Sequence, residues 1–149
     1  SLGNLWFFNE SQLFVTGYSY VMRTSTITAP DGYNLNEPSS IGELVGEDYR
    51  YPAWWVDFTP ESHSIWAILS YHADYYFPPY NGRIYQFEDN DYKLVKTISY
   101  NNIFQPDAQA AAYEVEARYV FANKEGTELS VLRKGKDNNN WSVEIIPIQ

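Results

Sequence analysis

The sequence predicts an all-β fold built from antiparallel hairpins, and three observations lead to this prediction. Aromatic residues make up 18% of the chain, with 14 Tyr, 8 Phe and 5 Trp, and such side chains suit half-buried pleated surfaces. Short segments alternate in polarity: Ile84 and Gln86 share one face, while Tyr85 and Phe87 share the other. Turn-forming dipeptides separate these segments along the whole length.

Nine segments have the composition and length of strands. They are residues 5–8, 12–23 (bent at Gly17), 53–58, 65–71, 83–87, 92–99, 118–122, 128–132 and 141–148. Residues 106–112 begin with Pro106 and contain four alanines, so they fit either a single helical turn or a strand. Residues 29–50 lack a firm period and are predicted to form a long loop with a short element near residues 41–45. Turns are predicted at residues 88–91 and 137–140.

Charge and composition exclude several classes of partner. The chain has 19 acidic and 10 basic residues, for a net charge of −9. Its one local basic group is Arg133, Lys134 and Lys136, which is too small for the counterion displacement that nucleic acid binding requires. No segment approaches the roughly 20 apolar residues of a bilayer-spanning helix. We therefore expect no nucleic acid partner and no membrane insertion.

The chain has no cysteine and begins with Ser1. The absence of cysteine excludes disulfides and thiolate metal sites. A start at Ser1 is typical of a mature product or an excised fragment, so a removed signal segment is compatible with the sequence. We expect an extracellular, periplasmic or cell-surface location.

Three segments share one pattern: a turn glycine, an alternating strand, a polar turn and a second strand. They are residues 3–15, 82–95 and 126–146, and Gly82 and Gly126 lie 44 residues apart. Periods of about 40–50 residues are typical of propeller blades. The pattern resembles a β-propeller repeat, and residues 81–87 resemble the third strand of many blades. The resemblance implies propeller-like blades within a single all-β domain, residues 1–149, that is complete or part of a larger propeller. A β-sandwich or barrel is the alternative.

The candidate ligand-binding residues are aromatic. A loop at residues 71–80 carries more ring area than a connection needs, and prolines within it reduce the cost of ordering. Trp54 and Trp55 are consecutive residues in the predicted strand at residues 53–58, so one ring is expected on each face of that strand. The candidates are Tyr71, Tyr75, Tyr76, Tyr80, Trp54 and Trp55.

No pattern of catalytic, metal or cofactor residues is found in the sequence. His72 and Asp74 are too few for a metal site, and no phosphate loop or nucleophile elbow occurs. We therefore expect no cofactor, no metal and no catalytic residue. The predicted function is a non-catalytic extracytoplasmic binding module whose partner is a glycan or a protein. The alternatives are a structural part of a larger propeller, self-associating through unpaired edges, and a carboxylate-based hydrolase.

Overall fold

The computed structural model describes residues 4–24, 39–47, 50–70 and 82–148, and the all-β prediction is confirmed for them. The first sheet contains β1 Leu5–Phe8, β2 Leu13–Thr16, β3 Tyr20–Arg23 and β4 Ser39–Glu43. The second contains β5 Ala53–Thr59, β6 Ser64–Leu69, β7 Arg83–Glu88 and β8 Leu94–Ile98, with a short 3₁₀ helix Pro60–Ser62 between β5 and β6. The third contains β9 Ile103–Phe104, β10 Tyr113–Ala122, β11 Glu128–Gly135 and β12 Trp141–Pro147.

Each sheet is a meander. Every strand pairs antiparallel with the strand that follows it in the same sheet, so the orders are β1-β2-β3-β4, β5-β6-β7-β8 and β9-β10-β11-β12. The chain therefore finishes one sheet before it begins the next. Because these strands fall into three separate sheets, the described residues do not form the closed barrel that the sequence left open. Stacked sandwich-like layers and successive blades both fit this topology.

Residues 12–23 form a hairpin and not the single bent strand that the sequence suggested. The hydroxyl oxygen of Thr16 accepts hydrogen bonds from the backbone N–H groups of Tyr18 and Tyr20. Ser19 has a φ of 66°, a left-handed conformation that reverses the chain direction. The Thr16 side chain thus takes backbone donors that a continuing strand would use, and β2 ends at this residue.

Residues 106–112 form neither a helix nor a strand. The Asp107 carboxylate accepts hydrogen bonds from the backbone N–H groups of Gln109 and Ala110, both at 2.8 Å. This local turn competes with helix formation. Strand β10 begins after it at Tyr113, earlier than the predicted start at residue 118. The short element expected near residues 41–45 corresponds to β4. The turn predicted at residues 88–91 is found at residues 89–91, since Glu88 is the last residue of β7.

The second sheet lies between the other two, and both of its faces are buried. One cluster of buried side chains joins it to the first sheet and includes Val15, Val21, Ile65, Ala67 and Phe87. A second cluster joins it to the third sheet and includes Trp66, Ile68, Ile84, Val120 and Val131. All six residues of β6 are buried because its alternate side chains enter the two clusters.

None of the helical structure in the described part of the chain is long and apolar enough to cross a membrane.

Candidate binding cleft

Four of the predicted ligand-binding residues, Tyr71, Tyr75, Tyr76 and Tyr80, lie outside the described residues. The other two, Trp54 and Trp55, lie in β5 and are both partly buried.

The tryptophan pair does not direct its rings to opposite faces. Both rings pack against the cluster between the second and third sheets. The pairing of β5 with β6 matches Ala53 with Leu69 and then Trp55 with Ile68, so Trp54 is the extra residue of a β-bulge. A bulge interrupts the alternation of side chains along a strand, which explains why the expected arrangement is wrong here.

Trp55 lies where the three sheets meet. Its indole N–H donates to the carbonyl oxygen of Val120 at 3.1 Å. Its ring lies edge-on to Tyr119 at 5.0 Å and to Trp6 at 6.3 Å, measured between ring centroids. These contacts give Trp55 a role in holding the sheets together, and ligand binding by either tryptophan stays a prediction.

A cleft of about 450 Å³ lies at one end of the first and second sheets. It is built from three hairpin connections: the β1–β2 turn, the 3₁₀ helix with the residue after it, and the β7–β8 turn. Its lining residues are Phe8, Asn9, Leu13, Phe58, Pro60, His63, Ser64, Asp89, Asn90 and Tyr92. A volume of this size is typical of small-molecule sites.

The floor of the cleft is aromatic. The rings of Phe8 and Phe58 are stacked, with centroids 4.5 Å apart and planes 12° from parallel. Tyr92 lies beside them, and its ring covers Gly42 of β4 so closely that a Cβ at position 42 would overlap it. Glycine at position 42 therefore leaves the space that the Tyr92 ring occupies.

The rim of the cleft is polar. The Asp89 carboxylate lies 3.5 Å from Nδ1 of His63. The Asp89 backbone N–H donates to the His63 carbonyl oxygen at 3.0 Å, which fixes the two connections to each other. Asn9 and Asn90 are exposed at the turn tips. The rim thus combines two amides, a carboxylate and an imidazole, which can donate and accept hydrogen bonds.

Three residues of the lining have left-handed backbone conformations. The φ angles are 52° for Asn9, 53° for His63 and 62° for Tyr92. Asparagine and histidine adopt this region more readily than tyrosine does. Such conformations are common in hairpin connections, where they reverse the chain direction. The surrounding hydrogen bonds, including His63 N–H to the Pro60 carbonyl at 3.2 Å, maintain them.

The Tyr92 hydroxyl stays neutral at physiological pH. Burial raises its pKa above the ordinary value of 10.0; the nearby Arg23 opposes this increase and Asp89 adds to it. A neutral phenol can both donate and accept a hydrogen bond. The protonated hydroxyl therefore keeps both hydrogen-bonding roles at physiological pH.

A second groove, of about 440 Å³, lies at the opposite end of the central sheet and is lined in part by Glu47, Arg83 and Thr97. The Glu47 carboxylate accepts hydrogen bonds from Arg83 at 2.7 Å and from Thr97 at 2.8 Å. These three polar side chains thus bond to one another. The Phe8–Phe58 cleft is the stronger candidate because it adds an aromatic floor to polar groups at its rim.

Sequence reasoning missed this cleft because its residues come from three connections far apart in the chain. The internal repeat held a usable signal, since it gives each unit a polar turn in the same place. Stacked hairpins bring such turns to one end, and the turns after β1 and β7 do meet there. No group of three or more potential metal-ligating residues occurs within the described ranges.

No protein-family model matches the chain, and no curated protein matches it in sequence.

Proposed function

We propose that the chain is a non-catalytic, extracytoplasmic binding module that holds a sugar ring in the Phe8–Phe58 cleft. The observation that supports this proposal is one concave site that combines an aromatic floor with a rim of amide and carboxylate groups. A sugar ring has the matching surfaces: an apolar face of C–H groups and an edge of hydroxyls. Aromatic rings hold such a face by area burial, and the rim groups orient the hydroxyls.

The geometry also supports binding without extensive rearrangement. The Phe8 and Phe58 rings pack on the cluster between the first two sheets, and a backbone hydrogen bond from Asp89 to His63 joins two of the three connections that line the cleft. A site already held in its bound shape loses less entropy when a ligand binds.

The non-catalytic assignment is supported by the arrangement of acidic groups. Glycoside hydrolysis generally uses two carboxyl groups facing each other across the bond. Asp89 is the one carboxylate among the described lining residues, and it lies beside His63.

The test is a glycan array, followed by calorimetric titration of any sugar that binds. Asn90→Ala and His63→Asn remove rim groups, and asparagine tolerates the left-handed backbone at position 63. Each variant is expected to weaken binding about fivefold, for a hydrogen bond of about 1 kcal/mol. Asn139→Ala, an exposed asparagine in the β11–β12 turn, is the control and should bind as wild type. An array with no saturable binding contradicts the proposal.

The same array separates the cleft from the aromatic loop predicted by sequence. If Tyr76→Ala abolishes binding and Asn90→Ala does not, the ligand contacts the loop at residues 71–80 and the cleft assignment is wrong. A blank array favours a protein partner.

The second candidate is a structural role as part of a larger β-propeller. It is favoured by the topology, since three four-stranded meanders follow one another in chain order and stack face to face. Small-angle scattering of the assembled form tests it: a ring of sheets gives a compact shape with a central channel, and separate layers do not.

A further inference from the structure

Two β-bulges bring an aromatic and a cationic side chain together where the second and third sheets pack. In β5 the extra residue is Trp54. In β10 the pairing with β11 skips Arg118, which lies between Ala117 and Tyr119. The guanidinium carbon of Arg118 lies 5.9 Å from the centroid of the Trp54 ring. Bulges redirect side chains and are frequent beside binding sites, and here the two redirected side chains face each other.

The strands that carry these bulges are held together by hydrogen bonds. The indole N–H of Trp55 donates to the carbonyl oxygen of Val120 at 3.1 Å. The backbone N–H of Ala122 donates to the Asp57 carboxylate at 2.9 Å. Both bonds join β5 to β10 shortly after the bulge in each strand. The two bulged side chains therefore project from a fixed backbone, which positions a site more precisely than a loop does.

Each of the two side chains also carries a buried donor without an acceptor. The indole N–H of Trp54 and the Nε of Arg118 are buried, and neither forms a hydrogen bond with a described residue. A buried polar group that is left unpaired costs free energy. Buried donors of this kind are rare in native proteins, and two of them in one contact indicate a place where an acceptor binds.

The other described arginines that are not exposed have carboxylate partners. Nη1 of Arg50 lies 3.7 Å from the Glu43 carboxylate, and Nη1 of Arg133 lies 3.4 Å from the Glu144 carboxylate. Arg118 forms no ion pair with a residue in the described part of the chain. A partly buried cation without a partner is unfavourable for folding, and proteins retain such exceptions mainly at functional sites.

We infer that Trp54 and Arg118 form a binding site for the carboxylate group of a small ligand. A carboxylate is planar and matches the planar fork of the guanidinium, and its remaining lone pairs can accept the indole N–H. Its single negative charge balances the single charge of Arg118. A phosphate group carries nearly two negative charges and would add the excess to a chain of net charge −9. Both side chains are partly exposed, so a rotation of Arg118 opens the donors to a ligand.

This site is separate from the Phe8–Phe58 cleft. Trp54 lies near the start of β5 and Phe58 near its end. Four residues of extended strand separate them, which is about 13 Å. Occupation of one site is therefore expected to leave the other unchanged, and the inference stands independently of sugar binding in the cleft.

The indole N–H signals in NMR spectra of the ¹⁵N-labelled chain test the inference. The chain has five tryptophans, each giving one such signal, and Trp54→Phe identifies the signal of residue 54. Benzoate is the probe, and benzamide, which has the same shape without the charge, is its control. Benzoate is expected to shift the Trp54 signal saturably, and benzamide is not. Arg118→Met should weaken benzoate binding about tenfold or more, as the loss of a charged hydrogen-bond partner does.

Arg50→Met is the matched control variant. Arg50 also lies over an aromatic ring, that of Tyr20 at 3.8 Å, but it has a carboxylate partner. Arg50→Met should bind benzoate as wild type and melt at a lower temperature. Arg118→Met should melt at the wild-type temperature or above it, because the substitution removes an unpaired, partly buried charge. Asn90→Ala, in the other cleft, should not change the benzoate titration.

Three results would overturn the inference. The first is a Trp54 signal that benzoate does not shift saturably. The second is an equal shift with benzamide or with sulfate, which would show no preference for a carboxylate. The third is an Arg118→Met variant that binds benzoate as wild type or is destabilised as much as Arg50→Met, which would give Arg118 a structural role. If Arg118→Met does not fold, Arg118→Lys replaces it, since lysine keeps the charge without the planar fork and should also weaken binding.

Discussion

The second and third sheets are both four-stranded meanders, yet they use their apolar residues differently. In β6 every side chain is buried, because sheets lie on both sides of it. In β12 the apolar side chains Trp141, Val143 and Ile145 are exposed, and only the alternate positions are covered. The two strands also have different neighbours, since sheets lie on both sides of β6 but on one side of β12. The position of a sheet in the stack thus decides which apolar side chains of these two strands are buried.

Matched tryptophan substitutions give the largest expected difference between the two sheets. Trp66 is fully buried and its indole N–H donates to the Thr59 hydroxyl at 2.8 Å. Trp66→Ala should lower the free energy of unfolding by about 3–5 kcal/mol, because a large cavity remains. Trp141→Ala should change it by less than about 1 kcal/mol when the chain is monomeric. Denaturant titration at low protein concentration measures both. Equal losses would show that Trp141 contributes to the fold of the single chain.

The contact between the β10–β11 turn and the central sheet can be tested at Gly126. This glycine has a φ of 70°, and a Cβ there would overlap the Ser62 side chain after β5. Gly126→Ala should therefore destabilise the chain by about 1–3 kcal/mol through strain and displacement of the turn. Glu125→Ala, an exposed neighbour, is the control. An unchanged melting temperature for Gly126→Ala would show that the third sheet can shift without cost.

The smallest expected effect is the loss of stability at alkaline pH, which reports on the contact between the second and third sheets. Tyr100 packs against the cluster between them. Burial raises the pKa of its hydroxyl above 10.0, and the backbone hydrogen bond from Ala117 only partly opposes this. The folded state then holds the proton more tightly than the unfolded state. Stability is complete below pH 10 and is lost as the pH rises through the folded-state pKa.

Melting temperatures measured at pH 9, 10 and 11 should therefore be constant at first and then fall. Tyr100→Phe should make the decrease smaller, because one of the groups that titrates differently in the two states is absent. A wild-type melting temperature that rises over this range would contradict the assignment. Tyr92, whose pKa is raised by burial in the cleft, contributes in the same direction.

The strands could be predicted from sequence more reliably than the faces they bury. The apolar run at residues 65–69 and the alternating segment at residues 141–148 both indicated strands, and both form strands. Which side of β12 is covered depends on the neighbouring sheet, which the local pattern does not encode. At Trp54 the β-bulge shifted the alternation, and a single sequence carries no mark of that extra residue.

The candidate cleft could be predicted only in part: the internal repeat indicated polar turns at one end, but it did not indicate the aromatic floor. Phe8, Phe58 and Tyr92 belong to different hairpins and meet only because the first two sheets pack together. Each looks like an ordinary strand-end aromatic residue in its own segment. The left-handed conformation of Tyr92, with a φ of 62°, is uncommon for a bulky residue, so the local sequence does not indicate it.

The meander topology makes this protein a short linear array. Each described strand pairs with the next one in its own sheet, so no strand crosses from one sheet into another. The buried clusters join the first sheet to the second and the second to the third. In such an array the stability of the whole depends on each unit and on its contacts with the units next to it. A change in the central sheet therefore affects both clusters, whereas a change in either outer sheet affects one.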